Sequence, residues 1–155
     1  MTHLKEGDKA PVFEGKNQDG NTIILEDYKG KKVIIYFYPK DDTPGCTAEA
    51  CNLRDNYNHW INNGYEIIGI SPDSEKSHVK FKEKYNLPFN LIADPDATII
   101  KAYGVWGEKK MYGKTYEGVL RTTFVLDENG VIEKVIEKVD TKAHSSQLMQ
   151  ELEIS

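Results

Sequence analysis

The amino-acid sequence predicts a three-layer α/β fold, a mixed central sheet flanked by helices on both faces. Three observations predict it. Dense runs of β-branched and aromatic residues recur along the chain, near-continuously apolar as in strands covered from both sides. Stretches with helical start and stop signals fall between them. Towards the end, an Asn-Gly dipeptide separates two short apolar runs, a strong hairpin signal.

The first run is Lys32–Tyr38 (KVIIYFY), followed by Tyr65–Ser71 (YEIIGIS), Leu91–Ala93 and Thr122–Leu126 (TTFVL). One helix is expected over Cys46–Asn62, stopped by Gly64. A second is expected over Ser74–Tyr85, with Ser74 placed to cap it and lysines towards its end. Asn129-Gly130 joins Thr122–Leu126 to Val131–Val135. A closing helix, capped by Asp140 or Thr141, runs to about Leu152, with Leu148 and Leu152 spaced to dock it on the core. Trp106–Glu117 (WGEKKMYGKTYE) is polar, aromatic and punctuated by glycine; it reads either as a loop packing its rings or as a rim that shapes access to a site. A thioredoxin-like arrangement fits this order of elements.

The chain has 155 residues, the size of one domain, 1–155, with no repeat or linker to divide it. Its 39% hydrophobic and 29% charged residues are globular composition. The net charge of −5 is interspersed, so nothing resembles the basic footprint of a nucleic-acid binder. Lys29, Lys31 and Lys32 surround Gly30 and read as a solvated turn. Met1–Lys9 is polar and carries Glu6 and Asp8, unlike a secretory or transit segment, and no stretch is apolar enough to span a bilayer. A cytoplasmic location is the expectation, and there thiols are kept reduced. Two cysteines in that compartment are a poor structural staple.

The informative segment is Pro39–Cys51 (PKDDTPGCTAEAC), which leaves the strongest strand and opens a helix. Thr43 suits the N-cap and Pro44 the first helical position. Cys46 then falls in the first turn, where unpaired N–H groups and the helix dipole favour thiolate. A free cysteine titrates near about 8.5, and such surroundings lower that by several units. From position alone, Cys46 is either a reactive thiol or a small buried residue. Cys51 lies five residues on. In an intact helix their Cα atoms are roughly 8–9 Å apart, whereas a disulfide needs them within about 7 Å. The pair can close only if the helix unwinds, which suits a redox switch; two unrelated buried cysteines are the alternative.

Pro39-Lys40-Asp41-Asp42-Thr43-Pro44-Gly45-Cys46 matches the P-x-x-x-T-x-x-C signature of peroxiredoxins. With Thr47–Cys51, it resembles the peroxiredoxin Q group, also called bacterioferritin comigratory protein. The resemblance runs from Gly7–Pro11 to Arg121–Leu126. It implies a thiol-dependent peroxidase with Cys46 as the attacking sulfur and Cys51 as the resolving one. Thr43 would orient thiolate and peroxide through its hydroxyl. Arg121 would bring a permanent positive charge from a distant strand. Pro39 would shield the pocket, and Gly45 would join Thr43, Cys46 and Arg121 around the substrate. Glu49, three residues after Cys46, either orients Arg121 from behind or is a solvated helix carboxylate. The substrate would be hydrogen peroxide or an organic hydroperoxide, the reductant thioredoxin or a similar dithiol, the working form a monomer. No cofactor is implied, because sulfur carries the redox chemistry.

His3, His59, His78 and His144 lack metal-ligand spacing, and Cys-x4-Cys is wider than the usual zinc pair. His59 lies roughly 20 Å along the helix from Cys46, too far to serve it as a base. A protein disulfide reductase would carry Cys-x-x-Cys, which is absent. A redox sensor or holdase using the same cysteine pair is the reading from another class; it predicts a disulfide without efficient turnover.

Overall fold

A computed structural model describes residues 1–154. Its strands are β1 (Glu14–Asn17), β2 (Thr22–Ile24), β3 (Lys32–Phe37), β4 (Tyr65–Ser71), β5 (Asn90–Ala93), β6 (Trp106–Met111), β7 (Lys114–Val119), β8 (Thr122–Leu126) and β9 (Ile132–Ile136). Its helices are α1 (Pro44–Asp55), α2 (Tyr57–Asn62), α3 (Glu75–Tyr85), α4 (Thr98–Ala102) and α5 (His144–Glu151). The main sheet has the order β2-β1-β5-β4-β3-β8-β9. Its centre, β5-β4-β3, is parallel, and β1 and β8 join it antiparallel, so the sheet is mixed as expected.

The alternating pleat of β3 divides the core in two. Val33, Ile35 and Phe37 face one side, with Ile99, Ile100 and Tyr103 of α4 and its exit. Ile34, Tyr36 and Tyr38 face the other, against Cys46, Ala50 and Leu53 of α1, Trp60 of α2, Phe81 of α3 and Leu148 of α5. Both faces of β3 are buried, which explains its unbroken apolar run.

Three expectations change. The helix expected to run through to Asn62 starts at Pro44 behind Thr43, as the capping signals indicate, but breaks at Asn56, whose backbone leaves the helical region at φ −110°, ψ 11°. The Asn56 side chain donates to the Asn52 carbonyl at 2.9 Å, the local competition that makes Asn a poor helix-interior residue. The closing helix starts at His144 with Ala143 at its N-cap. Asp140 instead accepts from the Lys142 N–H at 3.2 Å, forming a turn ahead of the helix. Trp106–Glu117 is mostly strand: β6 and β7 pair antiparallel as a separate two-stranded sheet. Their turn residues Tyr112 and Gly113 both have positive φ (53° and 77°), a two-residue hairpin geometry with no Asn-Gly to announce it. Beyond these, the short strands β1 and β2 and the short helix α4 carry too few residues to show a period.

Candidate active site

The site grows from the end of β3. The chain leaves the sheet after Phe37, passes half-buried Pro39 and starts α1 at Pro44. Thr43 occupies the N-cap with extended backbone, as expected, but its hydroxyl does not cap the helix. It donates to the Lys40 carbonyl at 2.8 Å, which commits its hydrogen and leaves its oxygen free to accept. Cys46 sits in the first turn, fully buried.

Strand pairing brings the cation. In the antiparallel β3–β8 register Phe37 lies opposite Thr122, so Arg121, one residue before β8, emerges beside the mouth of α1. Its Nη2 donates to Cys46 Sγ at 3.3 Å, and its Nη1 donates to Glu49 Oε1 at 2.8 Å. One guanidinium thus bridges two groups a helical turn apart. Burial works against the Arg121 charge, but Cys46 and Glu49 outweigh it and hold the group above its ordinary range. Gly45 makes the approach possible: a Cβ there would lie 3.2 Å from Arg121 Nη2.

Glu49 is fully buried, not a solvated carboxylate. Burial raises it from the ordinary 4.5 to about 7, against the pull of Arg121. Cys51 lies on the same unbroken helix, half-buried, and both thiols are free. Burial raises the Cys51 thiol, with Arg54 opposing and Asp55 assisting.

The structure therefore brings Cys46, Gly45, Glu49 and Arg121 into contact, with Thr43 and Pro39 on the turn before them. Cys51 stands apart while α1 is wound. A groove of about 530 Å³ opens beside Arg121, lined also by Leu120, Thr122 and Lys109 of β6. A second, of about 440 Å³, runs past Thr43, Pro44, Thr47 and Cys51.

Sequence reasoning missed two groups. The first anchors the turn before Cys46. Asp41 accepts from the Tyr38 hydroxyl at 2.6 Å and the Ser77 hydroxyl at 2.8 Å, and lies 2.7 Å from His78 Nδ1. Asp73 lies close enough to complete a metal-binding group with Asp41 and His78, but its Oδ2 already accepts from Asp41 N–H and the Ser71 hydroxyl. These contacts tie the turn to α3. The second is His144, fully buried behind Glu49. Its spacing of four residues from Leu148 puts both on one face of α5, the signal that could have found it.

Comparison with known proteins identifies the family. Residues 6–135 match the AhpC/TSA family. The chain is 49% identical to a putative peroxiredoxin bcp of Coxiella burnetii, over 96% of this chain and 99% of that one. It is 48% identical to peroxiredoxin Bcp of Bacillus subtilis, over 96% and 95% respectively. Among solved structures it resembles a Xanthomonas campestris bacterioferritin comigratory protein, described by its alkyl peroxide reduction activity. That match has a TM-score of 0.86 and 32% identity, covering 99% of this chain and 98% of that one.

The buried carboxyl predicts a pH signature in stability. Glu49 titrates higher folded than unfolded, so its contribution is complete below about 4.5 and is lost as pH rises through about 7. Glu49→Gln cannot ionise. Its melting temperature relative to the parent should therefore climb between pH 5 and pH 8, at roughly 2–4 °C per kcal/mol. Thermal unfolding of both proteins across that range checks it.

Proposed function

Because the chain belongs to the AhpC/TSA family, with the thioredoxin-like fold and sequence of the peroxiredoxin Q group, we propose that it reduces hydroperoxides through Cys46 and resolves the product with Cys51. The family makes it a thiol-dependent peroxidase; the assignment of steps to residues is our reading. The observation that carries it is the Arg121 fork, one nitrogen on Cys46 Sγ and the other on Glu49.

In the first step the Cys46 thiolate attacks one peroxide oxygen. The S–O bond forms as the O–O bond breaks, sulfur is oxidised to sulfenic acid, and the other oxygen leaves as hydroxide or alkoxide, which takes a proton from solvent to become water or an alcohol. Arg121 stabilises negative charge on sulfur and then on the breaking O–O bond. Thr43, its hydrogen held by Lys40, accepts from the peroxide O–H and fixes its direction. Pro39 and the tight packing at Gly45 exclude water from this corner.

In the second step α1 unwinds, and Cys51 attacks the Cys46 sulfur. A disulfide forms and water leaves, which stops oxidation before sulfinic acid. In the wound helix burial favours the neutral Cys51 thiol, and unwinding exposes it to water where its thiolate forms more readily. Thioredoxin or a similar dithiol then reopens the bond, approaching along the groove past Thr47 and Cys51. The alkyl peroxide reduction activity of the Xanthomonas relative supports organic hydroperoxides as substrates beside hydrogen peroxide. In the same reading the chain works as one domain and as a monomer, in the cytoplasm, with no nucleic-acid partner.

Three variants test the assignment. Peroxide-dependent NADPH oxidation, coupled through thioredoxin and its reductase, should vanish in Cys46→Ser. Retained turnover would remove Cys46 as the nucleophile. Cys51→Ser should oxidise once at parental speed and then stall, drifting to sulfinic acid on intact-mass measurement; undiminished cycling would reject the resolving role. One rapid oxidation without cycling in the parent itself would favour the redox-switch reading. Arg121→Ala should slow the first oxidation roughly a hundredfold, read by stopped flow at limiting peroxide.

A further inference from the structure

Behind the guanidinium lies a contact that the peroxidase reading does not use. Glu49 Oε1 accepts from Arg121, but Oε2 has no hydrogen-bond partner; among the described residues only the Tyr36 hydroxyl shares that buried, unpartnered state. An ionised carboxylate oxygen without a donor is costly in such a place. The atom facing it is His144 Nε2, 3.6 Å away, with both side chains fully buried.

The hydrogen on that ring can be assigned from its other contacts. Gln147 Oε1 accepts from Asp140 N–H at 2.9 Å, while its Nε2 donates to the Lys138 carbonyl at 2.7 Å, which orients the amide. The same Oε1 lies 3.0 Å from His144 Nδ1, so Nδ1 carries the hydrogen. Burial lowers His144 to about 4, with Gln147 and Asp140 opposing and Arg121 assisting, so the ring is neutral at pH 7. Its Nε2 then presents a lone pair, to which the Thr123 hydroxyl donates at 2.8 Å. An ionised Oε2 would face that lone pair with nothing between them. A protonated Oε2 faces an acceptor.

Charge leads to the same answer. The groups around Glu49 are Arg121 ahead of β8, His144 of α5, Tyr36 of β3 and Cys46 on its own helix. Only Arg121 is a cation. With Cys46 as thiolate, a neutral Glu49 leaves the pocket uncharged, whereas an ionised one leaves it a net anion in a low-dielectric site.

We infer that His144 is a positioning residue of the peroxidase, facing a proton that Glu49 keeps on Oε2 while Oε1 holds the Arg121 fork. The guanidinium is then oriented by a neutral partner and its charge is committed to Cys46, a role that rests on the peroxidase reading above. At 3.6 Å the Glu49–His144 contact is longer than a formed hydrogen bond. Competition from Thr123 for the single lone pair sets its strength.

Infrared spectroscopy of the reduced full chain tests this without turnover. A protonated carboxyl has its own C=O stretch, and that stretch rises in frequency when its O–H loses an acceptor. At pH 6 the parent should show such a band, and Glu49→Gln should lack it. His144→Phe should raise its frequency. Thr123→Val, which removes the competitor at little change in shape, should lower it and keeps the test available if the first variant disturbs α5. His144→Phe should also slow oxidation of Cys46 about tenfold. A parent without the Glu49 band, or a band unmoved in both variants, overturns the inference while leaving the peroxidase reading intact. A parent Cys46 that ignores peroxide overturns that reading and the positioning role with it.

Discussion

A single guanidinium shared between a sulfur and a carboxyl is the constraint on which the rest of this molecule turns. Arg121 contacts Cys46 at 3.3 Å and Glu49 at 2.8 Å in a largely dry corner. A guanidinium in such a corner is tolerable only when its geometry and hydrogen bonding are good. The surrounding fold supplies that geometry. The β3–β8 register delivers Arg121 to the mouth of α1, and the absent side chain at Gly45 admits it. A one-residue slip in β8 would turn its side chains to the wrong faces and carry the guanidinium away.

The same helix that holds Cys46 under Arg121 has to let go for the proposed disulfide. Its contacts are distributed accordingly. Asp42, in a left-handed conformation at φ 55°, ties the entrance of α1 to the end of α3 through Lys84 at 2.8 Å and the Tyr85 hydroxyl at 2.7 Å. Those contacts lie at the surface, where water and salt screen an ion pair and leave it weak. At the other end, the break at Asn56 separates α1 from α2, which is pinned by buried Trp60 donating to Ser145 at 3.1 Å. The first turns of α1 can therefore unwind without dragging α2 from the core. In the proposed cycle the same unwinding would draw Glu49 away from Arg121, releasing the guanidinium from both partners after the first step.

Much of this was legible in the residues. The unbroken run of β3, the Pro39–Cys51 segment and the start of α1 follow from local chemistry, whereas Arg121, 75 positions beyond Cys46, was supplied only by the family resemblance. Three things were not legible. Polar β6 and β7 bury too little to alternate apolar with polar, and their Tyr112-Gly113 turn has no strong signal. Asn56 interrupts a helix by a side-chain bond that composition only hints at. The burial of Glu49 is a tertiary fact: nothing in Cys-x-x-Glu distinguishes a carboxylate facing solvent from one enclosed by β3, β8 and α5. The four-residue spacing to Leu148 marks His144 as facing the core, but its place behind Glu49 shows only once the helix has docked.

The titrations of Glu49 and His144 make sense only as a pair. Glu49 rises on folding from about 4.5 to about 7, so between those values the folded chain holds a proton the unfolded chain has released. Alone, that stabilises the fold at low pH and is lost as pH rises through about 7. His144 falls from about 6.5 to about 4, so over nearly the same interval the unfolded chain holds a proton the folded chain refuses. Alone, that stability is complete above about 6.5 and is lost as pH falls through about 4. Between roughly 4.5 and 6.5 the two effects cancel: the pair binds one proton in either state, and folding moves it from imidazole to carboxyl. The site can thus bury two ionisable groups beside a cation with little net dependence of stability on pH across that interval. What the arrangement selects is the placement of a proton: on the carboxyl, neutralising the one anion that would compete with Cys46 for Arg121.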